Sequence, residues 1–124
     1  MKKIKITSGT TELVVTLLDT PTAAAIYDKL PIQSMVQTWG EEVYFEVPVK
    51  ASREANAKDV VAPGEIAFWV EGNCVAIGFG RTPISQGDEI RLAAKTNIWA
   101  ITQDDVKKLA AVRPGQKIRI EKLD

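Results

Sequence analysis

The sequence predicts a mainly β protein, a closed eight-stranded antiparallel barrel capped by two short helices. Apolar residues recur with a period of two over much of the chain, which is the side-chain period of a strand with one buried face. Glycine, proline and asparagine interrupt these runs at short intervals, as expected for tight turns. Closing the sheet into a barrel would also remove exposed strand edges, which otherwise promote aggregation.

The chain starts with two alternating segments separated by Ser8-Gly9, which are predicted to form a first hairpin. A helix is predicted next, because Thr20 is a suitable N-cap and Pro21 fits the first helical position. Pro31 ends this helix. Its apolar residues recur at helical spacing and share one face, which we expect to cover an open end of the sheet.

The densest alternation lies in a hairpin predicted between Ala62 and Pro83, with its turn at Glu71-Gly72-Asn73. We expect the opposite, outer face of this hairpin to carry small residues beside one tryptophan. The large apolar residues that share the inner face are Ile66, Phe68, Val70, Val75, Ile77 and Phe79.

Two irregular segments and a second helix complete the prediction. Residues 50–58 lack an apolar period and are predicted to form a long excursion, and residues 81–88 form a further loop. Thr102 and Asp105 have the spacing of a capping box, which predicts a helix that ends before Arg113. The predicted strands span residues 3–7, 12–18, 34–39, 42–48, 65–70, 74–79, 96–101 and 117–122.

Length and charge limit the possible classes of protein. With 124 residues, the chain is predicted to be one domain, 1–124, able to bury about two thirds of its unfolded surface. Its 16 basic and 16 acidic residues give a net charge of zero, so neither nucleic acid nor an anionic membrane is an expected partner. No apolar run approaches the roughly 20 residues of a membrane span, and we expect a cytoplasmic location.

The residue types present exclude several kinds of catalytic site. The chain has no histidine, which excludes Ser-His-Asp and Cys-His catalytic groups and His-containing zinc sites. Cys74 is the single cysteine, and we expect it to be a small buried apolar residue. No oxygen-rich metal loop or phosphate-binding glycine loop is recognisable, so no catalytic residue, metal or cofactor is assigned.

Several segments resemble known proteins. Residues 13–23 resemble the opening of cyclophilins, where a strand leads into the first helix. Residues 39–48, 59–69 and 72–83 are similar to a small prokaryotic family of short cyclophilin-like proteins with no assigned function. The resemblance extends over nearly the whole chain. It implies a compact eight-stranded cyclophilin-like barrel and a cytoplasmic location, and it implies no particular activity.

The resemblance also bears on prolyl isomerisation. Typical cyclophilins carry Phe-His-Arg in the strand after the first helix, and the arginine hydrogen-bonds the prolyl amide nitrogen. This chain has Tyr44-Phe45-Glu46 there, and a carboxylate cannot donate that hydrogen bond. Arg81, in a neighbouring loop, is then the candidate donor. A divergent peptidyl-prolyl cis-trans isomerase is therefore one alternative function.

The alternation predicts a groove on the outer face of the barrel. We expect non-catalytic binding of a peptide or a small amphipathic ligand in this groove. Alternatively, the aromatic residues of the groove pack beneath residues 50–58, or they pack against a second subunit. The protein is expected to be a monomer or a homodimer, and a homo-oligomeric assembly protein that uses the same surface is a further alternative function. Trp39 and Trp99 are predicted to pack in the core or at a barrel end. The candidate ligand-binding residues are Tyr44, Glu46, Ala67, Trp69, Ala76, Gly78, Arg81 and Thr82.

Overall fold

The computed structural model describes residues 2–123, and within them it contains ten strands, one α-helix and one 3₁₀ helix. The strands are β1 (Lys3–Ser8), β2 (Thr11–Leu17), β3 (Ile32–Met35), β4 (Gln37–Thr38), β5 (Glu42–Glu46), β6 (Lys58–Val61), β7 (Glu65–Trp69), β8 (Cys74–Gly78), β9 (Ile90–Thr102) and β10 (Lys117–Leu123). The α-helix α1 spans Pro21–Lys29, and the 3₁₀ helix spans Val106–Ala111.

The strands form a nearly closed antiparallel barrel, as predicted. Their order is β3-β10-β1-β2-β9-β7-β8-β5-β4, and β6 pairs separately with β9. The two ends of this order, β3 and β4, follow each other in the chain and are separated only by Val36. Val36 is 1% exposed, and its amide donates to Gln116 O at 2.8 Å. The chain thus changes partner at Val36, from β10 to β5, and this brings the sheet edges together.

The number of strands differs from the prediction for two reasons. The predicted strand at residues 34–39 is divided, because β3 pairs with β10 whereas β4 pairs with β5. In addition, the segment after residue 57 forms β6, which pairs with an unexpectedly long β9 that begins at Ile90. Strand pairing with a distant part of the chain decided both features.

The predicted helix caps had different outcomes. Thr20 caps α1 as predicted, since its Oγ1 accepts from Ala23 N at 3.0 Å. The capping box predicted at Thr102 is wrong: Thr102 Oγ1 accepts from Asp104 N at 3.0 Å instead. The residue that caps the 3₁₀ helix is Asp105, which accepts from Lys107 N at 3.0 Å.

The barrel interior is filled by the alternating large residues. Phe45 and Phe68 are 0% exposed, and α1 adds Ile26 to the same core. Val70 and Phe79, predicted on the inner face, are half-buried and pack against this core. The buried large residues of the β7–β8 hairpin are Ile66, Phe68, Val75 and Ile77.

A second apolar layer covers part of the outer face. Residues 90–96 of β9 pair with β6, whereas the rest of β9 pairs with β7 and β2. We call β6 together with residues 90–96 the outer ribbon. Its apolar side chains pack on the small residues of β7 and β8 in a cluster formed by Val61, Ala67, Ala76, Ile90 and Leu92. The small residues predicted on the outer face of this hairpin are therefore largely buried, beneath another part of the same chain.

Gly78 shows how closely the outer ribbon approaches. A Cβ at this position would lie 2.3 Å from Ile90 Cγ2, which is closer than non-bonded atoms can come. Glycine is therefore needed where the ribbon crosses β8.

Candidate functional site

A pocket of about 280 Å³ lies between the outer face of the barrel and the outer ribbon. We call it the outer pocket. The barrel contributes three aromatic residues and one carboxylate, and the ribbon contributes mainly small or aliphatic residues. The lining residues are Trp39, Glu42, Tyr44, Trp69, Ala76, Leu92, Ala93, Ala94 and Thr96.

The strand period places two of these residues. Val43 and Phe45 on β5 are 0% exposed inside the barrel, so Glu42 and Tyr44 point outward. Tyr44 pairs with Ala76 on β8, and Ala76 pairs in turn with Ala67 on β7. Because the neighbour of Tyr44 across the sheet is the small Ala76, space remains in front of the barrel wall for a ligand.

Trp69 is positioned by the turn that follows it. A Cβ at Gly72 would lie 2.3 Å from the Trp69 ring, so the indole rests directly against the glycine backbone. The turn also contains Asn73, whose φ of 52° lies in the left-handed region that asparagine tolerates. The turn chemistry recognised in the sequence therefore also supports one wall of the pocket.

Glu42 is the unusual polar group of the outer pocket. The residue is 7% exposed, and within residues 2–123 its Oε1 has no hydrogen-bond partner. Burial raises the pKa of Glu42 from 4.5 to about 7. At neutral pH the protonated form of this carboxyl is therefore populated, whereas an ordinary glutamate is fully ionised.

The neighbouring acid, Glu41, has a different role. Its Oε1 accepts from Arg81 N at 3.1 Å, which fixes the loop after β8. Consecutive residues of a strand point to opposite faces, so the two carboxylates do not form an acid-base pair. Of these two adjacent residues, Glu42 alone reaches the outer pocket.

The structure brings three of the predicted binding residues to the outer pocket: Tyr44, Trp69 and Ala76. Ala67 and Gly78 lie beneath the outer ribbon and are buried. Glu46 is exposed on the same face of β5 but lines a separate depression with residues 47–50.

The loop residues predicted for the groove stabilise their own loop. The Arg81 guanidinium donates to Gly87 O at 2.7 Å and to Ser85 O at 3.4 Å. Thr82 is 4% exposed and donates its hydroxyl to Arg91 O. Neither Arg81 nor Thr82 lines the outer pocket.

None of residues 50–58, predicted as a possible cover for the aromatic side chains, lines the outer pocket. This segment is held elsewhere, because Glu54 N donates to Asn97 Oδ1 at 2.8 Å and the Glu54 carboxylate accepts from Thr22. Trp99 is 0% exposed in the core, as predicted, and donates to Ala67 O at 3.1 Å. Trp39, predicted to pack in the same way, is half-buried and lines the pocket.

Sequence reasoning missed Glu42, Trp39 and the ribbon residues. The position of Glu42 could have been predicted, because Glu42 and Tyr44 are two residues apart on the predicted strand and therefore point to the same outer face. For the ribbon no local signal identifies the partner, because its position depends on the pairing of β6 with β9.

The described part of the chain, residues 2–123, contains no group of three or more His, Cys, Asp or Glu residues that could hold a metal ion. Within the same range, no helix combines the length and the apolar character needed to cross a bilayer.

Comparison with known proteins gave one family and two informative structures. The model of the family described as Cyclophilin-like matches residues 2–121. The solution structure of a hypothetical protein from Archaeoglobus fulgidus is similar, with a TM-score of 0.84 and 34% identity over 98% of this chain and 95% of that chain. McbB, solved in complex with tryptophan, has a TM-score of 0.64 and 13% identity, over 95% of this chain and 44% of McbB, a likeness of fold. A comparison with curated proteins found no match.

Proposed function

The chain belongs to the cyclophilin-like family, and we propose that it binds a small amphipathic ligand in the outer pocket without catalysing a reaction. One observation carries the proposal. The carboxyl of Glu42 is buried against an apolar pocket, and its Oε1 has no partner within residues 2–123. Leaving such a group unpaired costs about 1–3 kcal/mol or more, so unpaired buried carboxyls are uncommon outside functional sites.

The pocket chemistry defines the ligand. Trp39, Tyr44 and Leu92 offer apolar contact, while Glu42 offers one polar anchor. A molecule with an apolar body and one polar group would match both features. The pocket volume of about 280 Å³ lies just below the usual range for small-molecule sites, roughly 300–1,000 Å³, which favours a small molecule over an extended peptide.

The contacts of Arg81 support a binding role over prolyl isomerisation. An isomerase needs an N–H donor directed at the prolyl nitrogen. The Arg81 guanidinium donates to two carbonyls of its own loop, outside the outer pocket. No observation among the described residues favours the isomerase alternative or an assembly role.

Ligand-observed NMR with three small probes tests the proposal. The probes are benzylamine, benzyl alcohol and benzoate, which share a phenyl ring and differ in charge. Ala94→Phe should fill the pocket from its half-buried rim, and Lys95→Phe, at an exposed position outside the lining, is the matched control. We expect at least one probe to bind the native protein and Lys95→Phe, and to lose binding in Ala94→Phe.

Two results would overturn the proposal. The first is that none of the three probes binds the native protein. The second is that Ala94→Phe binds a probe as well as the native protein does, which would place the binding elsewhere. Acceleration of X-Pro isomerisation by the native protein in a protease-free assay would contradict the non-catalytic part.

A further inference from the structure

We propose that the ligand of the outer pocket is an organic ammonium ion, an apolar body whose protonated amine pairs with Glu42 among the rings of Trp39, Tyr44 and Trp69. The inference rests on the proposed function and adds the chemical class of the ligand. Two kinds of ligand could satisfy Glu42. A cationic donor would pair with its ionised form, whereas a neutral hydroxyl would donate to the ionised form or accept from the protonated form.

The charge of the surroundings favours the cation. Among the described lining residues none is lysine or arginine, so no cation of the pocket wall competes for Glu42.

The hydrogen-bonding capacity also favours an ammonium ion. The unpartnered Oε1 of Glu42 needs a donor, and a protonated primary amine supplies three N–H groups. Hydrogen bonds between an ammonium and a carboxylate are stronger than those between neutral groups. The low dielectric constant around a buried carboxylate strengthens the pair further.

The aromatic lining provides a third argument. The outer pocket has two tryptophans and one tyrosine around a single carboxylate. Aromatic rings attract cations through the negative potential of their faces, and tryptophan is the strongest of them. Where a ring face meets the ligand, this potential attracts a cation and repels an anion. The aromatic rings and the Glu42 carboxylate thus both favour a positively charged ligand.

Calorimetric affinities of the three probes show whether the outer pocket prefers a cationic, a neutral or an anionic ligand. We expect benzylammonium to bind the native protein about ten-fold or more tightly than benzyl alcohol, and benzoate to bind more weakly than either. Glu42→Gln keeps the size of the side chain but cannot ionise. We expect it to reduce benzylammonium affinity to about that of benzyl alcohol, whose own affinity should change by no more than about two-fold.

Glu46→Gln is the matched control, since Glu46 is exposed on the same face of β5 and lies outside the lining. We expect it to weaken benzylammonium binding by no more than about three-fold, because exposed charges are screened. Equal or tighter binding of benzyl alcohol or benzoate to the native protein would overturn this inference and leave the proposed function standing. An unchanged benzylammonium affinity in Glu42→Gln would also overturn it. If none of the probes binds, both proposals fail.

Discussion

Replacing Glu42 by glutamine changes how the stability of the protein depends on pH. Burial raises the pKa of Glu42 from 4.5 to about 7, so the folded protein binds this proton more tightly than the unfolded chain does. Between these pH values the native state carries the extra proton, and the free energy of unfolding therefore falls as pH rises. Glutamine has no proton to lose, so the variant keeps the stability that the native protein loses.

The size of the effect follows from the pKa values. The rise from 4.5 to about 7 corresponds to about 3 kcal/mol, at about 1.4 kcal/mol for each unit of pKa. This stability is fully present below pH 4.5 and is lost above about pH 7. Glu42→Gln should therefore match the native protein near pH 4 and exceed it by up to about 3 kcal/mol near pH 8, or roughly 10 °C in Tm.

Urea and thermal unfolding between about pH 4 and pH 8 measure this difference. Glu46→Gln is the control, and it should follow the native curve because Glu46 is exposed on the same face of β5. The reasoning is refuted if Glu42→Gln loses stability with rising pH in parallel with the native protein. It is also refuted if Glu46→Gln shows the larger effect.

Three further substitutions test the packing around the site. Gly72→Ala places a Cβ 2.3 Å from the Trp69 ring, so it should lower stability by about 1–3 kcal/mol and change tryptophan fluorescence; an unchanged spectrum would contradict the contact. Asn97→Ala removes three hydrogen bonds of a side chain that is 0% exposed, including that from Glu54 N, and should cost about 2–4 kcal/mol in urea unfolding; a loss below about 1 kcal/mol would contradict this. Phe68→Ala empties a position that is 0% exposed and should cost about 3–5 kcal/mol by thermal unfolding, whereas a near-neutral effect would remove Phe68 from the core.

The barrel could be predicted because its main signal is local. On β5, β7 and β8 every second residue enters the core, and Phe45 and Phe68 follow that rule at 0% exposure. The same parity indicated that Tyr44 and Trp69 point outward. It did not indicate which outward residues share one pocket. Glu46, one strand repeat beyond Tyr44, already lies beside a different depression.

The outer ribbon could not be predicted because it depends on distant pairing. Ile90 and Leu92 are two apolar residues in a short segment, and nothing local shows that they pair with β6 and cross the outer face. Arg81 was expected near the groove by its place in the sequence. Its guanidinium instead donates hydrogen bonds to carbonyls of its own loop, and these contacts depend on the loop conformation.

The sequence by itself determined the alternation that forms the barrel, the turn at Gly72 and the exclusion of histidine chemistry. Tertiary structure alone decided the environment of Glu42: a ribbon from much later in the chain forms the other wall of its pocket, and burial there raises its pKa to about 7. The physical reason is that side-chain direction follows from the backbone of a few neighbouring residues. Burial of a charge depends on every segment that packs around it, whatever its distance along the chain.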